Sequence, residues 1–374
     1  MNWTLDWGAM TQARFMSQHW QQRPLLMRQA FAGFQPVLSA TQLFDLAGLE
    51  DVESRLVRRE ANGQWTVNQG PFKRRQLPST RQPNWTLLVQ GVDLHHDALS
   101  ELMRVFRFVG EARLDDLMIS YASAGAGVGP HLDNYDVFLL QAQGVREWRI
   151  GPVNRIEWQD APLKLLKRFK PDQVLTLHPG DVLYLPPGYG HDGVAVGSDC
   201  MTYSIGFRSP TQGELARHVM QRFLEADETD ELAQGLRYSD RGMKATPRPG
   251  RIAVEFERFG WDAIQSLLSQ PDAFKLALGE VLTEPKPQVW FEAQARARLV
   301  ACRLDRRSRM LWNDTHVFLN GEAWRAKGAD AKLLRQLADH RALNASDLSR
   351  ASPEVKALLT DWLRLGWLQP LKAR

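Results

Sequence analysis

Three polar side chains in apolar surroundings form a possible set of metal ligands. His131 and Asp133 stand one residue apart in HLDNYDVFLL, and residues i and i+2 of a β-strand project from the same face. His191 comes 58 residues after Asp133, at the end of GDVLYLPPGYGH. Two histidines and one carboxylate on a β scaffold are the ligands of non-haem Fe(II) and leave positions open for reactants. The alternative is a polar pair on the solvent face of a sheet, because H-x-D alone is a common triplet.

An oxygenase with such a site needs a co-substrate that is oxidised with the main substrate. 2-Oxoglutarate would chelate the iron through its 1-carboxylate and 2-oxo group, and its distal carboxylate would need a cation inside the protein. Arg146, on the predicted strand VREWRI, is the expected partner because a guanidinium matches a carboxylate bidentately. Arg149 is the alternative, but the odd spacing directs it to the opposite face. The hydroxyls of Ser120 and Thr202 are candidates for further hydrogen bonds to the co-substrate.

These residues lie in a segment of short predicted strands, about residues 90–208. DLMISYA, YDVFLLQAQGVREWRIG, QVLTLHPGDVLYLPPGYGH and CMTYSIGFR are separated by Gly and Pro, without helical patterns between them. That arrangement favours an antiparallel sandwich or barrel. The preceding residues combine short strands with helix, as in SATQLFDLAGL after the expected cap Ser39.

The pattern changes to helix from Ser209, which is the expected cap of SPTQGELARHVMQRFLEAD. Further helical stretches reach to about residue 282, and their apolar faces exceed what one short segment buries against itself. We therefore expect either dimerisation through these helices or packing on the β core. TEPKPQ, residues 283–288, reads as a linker.

The last segment has the order of elements of a winged helix. A hairpin is expected around Asn320-Gly321, followed by two helices and a returning strand in WLQPL. The second helix has Ser352 as its cap and Gly366 after its last turn.

Composition excludes several classes of protein. The 374 residues include only two cysteines, Cys200 and Cys302, which is too few for a disulfide framework or a thiolate metal site. No signal peptide and no membrane-length apolar run is found, so we expect a cytoplasmic protein. The net charge is +4, yet residues 286–374 hold 17 Lys and Arg against 9 Asp and Glu. This asymmetry indicates contact with nucleic acid or a ribonucleoprotein, or simply a solvated basic face.

DDLMISYASAGAGVGPHLDNYDVFLLQ, PGDVLYLPPGYGHDG and YSIGFR resemble the JmjC-type, cupin-like ribosomal oxygenases of bacteria, the YcfD family. The likeness runs along the whole chain, from HWQQRPLLMRQAF to the winged-helix end. It implies an α+β fold: a catalytic domain at 1–208 with a double-stranded β-helix (jelly-roll) core, a helical dimerisation region at 209–282, and a winged helix at 283–374. SAGAGVGPH has alanines where a more glycine-rich loop is expected, and Gly190 replaces a familiar proline. Both departures lie where a substrate loop could enter.

The resemblance also implies an activity and its site. The expected enzyme is a homodimer that uses Fe(II), 2-oxoglutarate and dioxygen to hydroxylate C3 of an arginine in large-subunit ribosomal protein sixteen. His131, Asp133 and His191 would be the iron ligands and Arg146 the co-substrate anchor.

An arginine substrate should meet anions near the mouth of the barrel. Asp115, Asp116 and Asp136 are the candidate carboxylates, and Tyr135 could line the same cleft. Each acid is also typical of a turn or surface position, and the tyrosine could belong to the core.

Two rival functions use the same elements. A metabolite-sensing cupin with a DNA-binding winged helix is disfavoured, because SPEVKALLTDWLRLG balances Lys356 and Arg364 with Glu354 and Asp361, whereas major-groove reading favours Arg, Lys, Asn and Gln. A JmjC demethylase or a hydroxylase of another protein shares the first chemical step, so the ligands alone do not separate them.

Overall fold

A computed structural model describes residues 3–226, 236–239, 241–242, 248, 250–269, 271–294 and 298–371. The chain divides into two compact units. The first unit is Met1–Ser209 with Pro287–Trp290, and the second is Pro210–Lys286 with Phe291–Arg374. The division into three domains at 208/209 and 282/283 stays a prediction, and part of its helical region lies outside the described residues. Within those residues, no helix is long and apolar enough to cross a membrane.

The first unit alternates short N-terminal elements with a large sheet. Its helices and strands are α1 (Gln12–Gln18), β1 (Leu25–Met27), α2 (Ala40–Leu46), β2 (Ser54–Arg59), β3 (Trp65–Gln69), β4 (Trp85–Val89), α3 (Asp97–Met103), β5 (Leu114–Ala122), β6 (His131–Leu132), β7 (Asp136–Pro152), β8 (Gln173–Leu177), β9 (Val182–Leu185) and β10 (Tyr189–Phe207). Ser39 caps α2 as expected, since its hydroxyl accepts from the Gln42 amide and the Gln42 side chain accepts from the Ser39 amide.

All strand pairs of this unit are antiparallel, in the order β1-β9-β7-β10-β5-β4-β2-β3, with β6 on β10 and β8 on β7. The long strands β7 and β10 pair twice, once before and once after a shift in register between Val196 and Met201. Gly144 lies at this bend with a positive φ of 67°, and a β-carbon there would lie 3.1 Å from the Asp199 carbonyl oxygen. Irregular pairing bends strands, so the two ribbons curl into the expected double-stranded β-helix.

The alternation of side chains along β7 separates two apolar clusters. Phe138 and Leu140 face outward into the main cluster, which includes Phe15 of α1. Val137 and Leu139 face the other way, into the barrel, where they pack with Trp148. The N-terminal elements therefore cover one side of the sheet, and the barrel interior stays separate from them.

In the described residues, the second unit contains six helices and two three-stranded sheets. Its elements are α4 (Gln212–Ala226), α5 (Val254–Leu268), α6 (Pro271–Thr283), β11 (Cys302–Leu304), β12 (Met310–Trp312), β13 (His316–Leu319), β14 (Glu322–Arg325), α7 (Gly328–His340), β15 (Ala342–Leu343), α8 (Ala345–Ser349), α9 (Pro353–Arg364) and β16 (Leu368–Pro370). The sheet orders are β15-β11-β16 and β12-β13-β14.

Local signals place most boundaries of this unit. Asn320 and Gly321 both have positive φ in the β13–β14 turn, as a two-residue hairpin requires. The Ser352 hydroxyl accepts from the Val355 amide at the start of α9, and Gly366 with φ 79° follows its end. The expectation that Ser209 caps α4 is wrong. The helix begins at Gln212, so Thr211 lies at the capping position and exchanges hydrogen bonds with Glu214.

Candidate metal and co-substrate site

His131, Asp133 and His191 come together on neighbouring ribbons. His131 lies on β6, which pairs with β10 at His191 itself, and Asp133 follows in the turn between β6 and β7. One potential ligand atom from each residue lies within 4.8 Å of the others, and His191 Nε2 is 3.6 Å from Asp133 Oδ2. The expected continuous strand over HLDNYDVFLL is wrong, because residues 133–135 interrupt it. The amide of Gly188 donates to the Asp133 carbonyl and holds this turn in place.

Backbone carbonyls determine which imidazole nitrogen remains available. Nδ1 of His131 lies 2.9 Å from the carbonyl oxygen of Gly129, and Nδ1 of His191 lies 3.0 Å from that of Tyr189. A carbonyl only accepts, so each Nδ1 carries the proton and each Nε2 keeps its lone pair. Burial, reinforced by the neighbouring His131, lowers the pKa of His191 to about 4. The ring is therefore neutral at pH 7, as a metal ligand must be.

Arg146 points into the barrel from the next part of β7. It is 4% exposed, and its Nε and one terminal nitrogen are buried without a hydrogen-bond partner. A buried guanidinium with unmatched donors is costly, and an anion bound beside it would satisfy these donors. Arg149 lies on the outer face, where it pairs with Glu147 and Asp192.

Trp148 lies two residues further along the same face and was not singled out by the sequence reasoning. The centre of its ring is 5.6 Å from the Arg146 guanidinium carbon and 5.8 Å from the centre of the His191 ring. The indole therefore contacts both the arginine and the metal cluster. Its indole nitrogen is also buried without a partner. Gly193 of β10 leaves space for the ring, because a β-carbon there would be 2.6 Å from Cζ3. The i, i+2 spacing from Arg146 was the available signal.

Ser120 and Thr202 are paired neighbours on β5 and β10. The Thr202 hydroxyl donates to Gln141 Oε1 at 2.9 Å, and the Ser120 hydroxyl donates weakly to the Thr202 carbonyl. Gln141 is fully buried and was also not anticipated, although a glutamine within VFLLQA is a polar residue in an apolar strand. This polar row crosses β5, β10 and β7, and β7 also carries Arg146.

The four predicted substrate contacts separate into two pairs. Asp116 and Tyr135 approach each other around Gly206, where a β-carbon would lie 3.7 Å from Asp116 Oδ1 and 4.0 Å from Tyr135 Cε2. The Tyr135 ring is partly exposed, whereas its hydroxyl is desolvated. This desolvation raises the pKa of the Tyr135 phenol, and the negative charges of Asp133 and Asp116 raise it further. The hydroxyl thus stays protonated beside the metal cluster.

Asp116 Oδ2 accepts from the Gly91 amide, and the other two carboxylates are held by arginines. Asp115 follows the opposite face of β5 and pairs with Arg208 at 3.2 Å. Asp136 is fully buried and accepts hydrogen bonds from Tyr184, Gln21 and Arg113. The expectation that Asp136 contacts substrate is therefore wrong, since its carboxylate has no accessible surface.

Comparisons with known proteins agree with this arrangement. Residues 101–215 match the family model "JmjC domain", and residues 266–369 match "ROXA-like winged helix". The chain is 36% identical over 293 residues to ribosomal protein uL16 3-hydroxylase of Escherichia coli, covering 76% of this chain and 74% of that protein. The chain belongs to the JmjC-type ribosomal oxygenases.

Solved structures of this ribosomal oxygenase family resemble the whole chain. An X-ray structure of E. coli YcfD superposes with a TM-score of 0.86 at 30% identity, covering 99% of this chain and 100% of that one. The structure of E. coli YcfD with cobalt and 2-oxoglutarate gives 0.82 at 30% identity, covering 98% and 99%. The family membership thus extends over both compact units.

Proposed function

We propose that this chain is an Fe(II)- and 2-oxoglutarate-dependent oxygenase that hydroxylates C3 of an arginine in ribosomal protein uL16. The observation that carries the proposal is the His131, Asp133 and His191 cluster, in the same barrel as the unmatched guanidinium of Arg146. Membership of the family and the name of the E. coli relative supply the substrate.

The donor set fits a ferrous ion. Two neutral imidazoles and one carboxylate would hold it, and the carbonyls of Gly129 and Tyr189 keep both rings in the ligating tautomer. Bound Fe(II), with dioxygen and 2-oxoglutarate, supplies the insertion of one oxygen atom into a C–H bond, while 2-oxoglutarate becomes succinate and carbon dioxide.

The interior beyond the cluster fits a dicarboxylate. Arg146 would bind the distal carboxylate with its two buried, unmatched nitrogens, in surroundings that strengthen such a pair. The Trp148 indole N–H is a further donor within the same enclosure. Ser120 and Thr202 would shape the wall through the polar row with Gln141.

The mouth of the site fits a cationic side chain. Asp116 would accept from the substrate guanidinium, and Tyr135 would position it with a protonated hydroxyl and an exposed ring face. Orientation of one C–H bond and exclusion of water are the contributions of these residues.

The test uses purified uL16, with succinate and the mass of the protein as paired readouts. Wild type should release succinate and add one oxygen atom to uL16 in equal amounts. Asp133→Ala should reduce both to background and weaken binding of Mn(II), an inert substitute for Fe(II), because a ligand is lost. Arg149→Ala is the matched control and should retain turnover, since this arginine lies on the outer face. Succinate release by Asp133→Ala at the wild-type rate would contradict the site.

We also propose that the chain forms a homodimer through the helices of its second unit. Helix α5 exposes Val254, Phe256, Trp261, Ile264 and Leu268 to solvent, more apolar surface than a monomer needs. The double variant Trp261→Ser/Ile264→Ser should sediment as a monomer, whereas Trp290→Ser, also at an exposed tryptophan, should sediment like wild type. A dimer that survives the double substitution would place the interface elsewhere. We further propose that the enzyme acts in the cytoplasm, because its proposed substrate is a ribosomal protein.

A further inference from the structure

A basic stretch in the first unit has no part in the proposed chemistry. Residues 54–85 hold seven Lys and Arg against a single acid, Glu60. They form the β2–β3 hairpin and the loop that leads to β4. Arg58 and Arg59 are adjacent on β2 and line one cavity, and we call these two arginines with that cavity the basic face.

The basic C-terminal residues differ from this stretch because many are neutralised within their own unit. Arg350 pairs with Asp347 at 2.7 Å and Arg364 with Asp361 at 3.2 Å. Other arginines donate to carboxylates or backbone carbonyls there, among them Arg307, Arg335 and Arg341. Fewer guanidinium groups of this unit are therefore available to a ligand than its number of arginines suggests.

The basic face lacks such partners. In the described part of the chain, neither Arg58 nor Arg59 has a carboxylate within ion-pairing distance, and Arg59 attracts Asp192 only over a longer distance. Arg59 stacks on Trp65 at 5.7 Å, and its side chain is exposed to solvent. Unneutralised arginines interleaved with aromatic rings are typical of surfaces that bind nucleic-acid backbones.

A cavity of about 260 Å³ lies in this face. Arg58 and Arg59 line it, with the amide side chains of Gln82 and Asn84 and one acid, Glu60. The Glu60 carboxylate accepts from the Thr66 hydroxyl, whereas Nε of Arg58 is buried without a partner. Guanidinium and amide donors around a polar cavity match the oxygens of a phosphodiester and its ribose.

The basic face adjoins the candidate metal site. The ring of Trp65, on which Arg59 stacks, lies 3.0 Å from the position of a β-carbon on Gly129. Gly129 in turn provides the carbonyl that orients His131. A macromolecule bound along the hairpin would therefore lie beside the opening that receives the arginine.

We propose that the basic face binds the phosphate backbone of RNA, so that the enzyme meets its ribosomal substrate together with RNA. The source of the RNA rests on the proposed function, since ribosomal proteins lie against ribosomal RNA. RNA is preferred over an acidic protein because planar guanidinium groups match phosphate oxygens bidentately, and the neighbouring amide side chains of Gln82 and Asn84 can hydrogen-bond to ribose and bases.

The test measures binding of a fluorescein-labelled single-stranded RNA of about 20 nucleotides by anisotropy, with protein that holds neither iron nor 2-oxoglutarate. Each phosphate contact contributes about 0.7 to the slope of log K against log salt, or about fivefold in affinity near 0.1 M salt. Arg58→Gln/Arg59→Gln should therefore weaken binding about 25-fold and make the slope of log K against log salt less steep by about 1.4. Arg350→Gln/Arg364→Gln removes the same charge from exposed, ion-paired sites and should stay within twofold of wild type.

The proposal would be overturned if wild type bound no RNA at 50 mM salt, or if both double variants lost the same affinity. It would also be overturned if polyglutamate displaced RNA at equal charge, because this result would assign the face to an acidic protein. Arg59→Gln alone, at an exposed position, should lose about fivefold and covers the case that the double variant does not fold. Asp133→Ala should bind RNA like wild type. RNA binding without hydroxylation would thus reject the proposed function alone, and hydroxylation without RNA binding would reject only this inference.

Discussion

Substitution of Arg146 by methionine separates the two effects of a buried, unmatched guanidinium. Methionine keeps the length of the side chain and removes the charge with both unsatisfied nitrogens. Each unsatisfied buried donor costs about 1–3 kcal/mol, and the contact with Trp148 returns about 0.5–2 kcal/mol. The two donors together cost about 2–6 kcal/mol, so after subtraction of the Trp148 contact Arg146→Met should raise the free energy of unfolding of the ligand-free protein by about 3 kcal/mol.

Binding of 2-oxoglutarate should change in the opposite direction. Two charge-assisted hydrogen bonds at about 1.5–3 kcal/mol each correspond to a loss of at least about 100-fold in affinity. Urea unfolding measures the first effect, and calorimetric titration of Zn(II)-loaded protein with 2-oxoglutarate measures the second. Arg149→Met, on the exposed outer face, should change neither stability nor affinity appreciably. The reasoning fails if Arg146→Met destabilises the ligand-free protein or binds 2-oxoglutarate within threefold of wild type.

Three further substitutions or conditions test single contacts. Gly193→Ala should lower the affinity for 2-oxoglutarate, because its methyl group would displace the rigid Trp148 ring. Urea unfolding should show a loss of stability of about 1–3 kcal/mol. Unchanged affinity would count against the position of this ring. His191 has a pKa of about 4 when folded against about 6.5 unfolded, so the unfolded state binds the extra proton. The stability of the metal-free protein should therefore fall as pH drops from 6.5 to 4. The fall should be smaller in His191→Gln, where other groups with a lowered pKa, such as His316, account for the remainder. Asp136→Asn should destabilise the fold by about 2–4 kcal/mol in urea unfolding, because three donors lose a carboxylate. Its affinity for 2-oxoglutarate at low temperature should stay like wild type. A loss of turnover without a loss of stability would show that Asp136 contacts the substrate.

The main features of the fold were predictable because their signals are local. Alternation of apolar residues, Gly and Pro punctuation, and capping groups such as Ser39 and Ser352 act within a few residues of the structure they determine. The grouping of His131 with His191 was predictable from chemistry, because two histidines and one carboxylate on a β scaffold are a known set of metal ligands.

The errors arose where distant residues decide the outcome. Asp136 is buried by Tyr184 and Gln21, which are 48 and 115 residues away along the chain. The sequence around Asp136 does not indicate these partners, so a carboxylate at this position was expected on the surface. Ser209 likewise accepts from the distant Arg113, which leaves Thr211 to cap the next helix.

Peptide mass spectrometry of uL16 from cells with and without this protein tests the central claim most directly. We predict that one arginyl peptide is heavier by one oxygen atom when wild type is present, and that Asp133→Ala does not restore this mass. Identical uL16 masses in both kinds of cell, or restoration by Asp133→Ala, would contradict the claim.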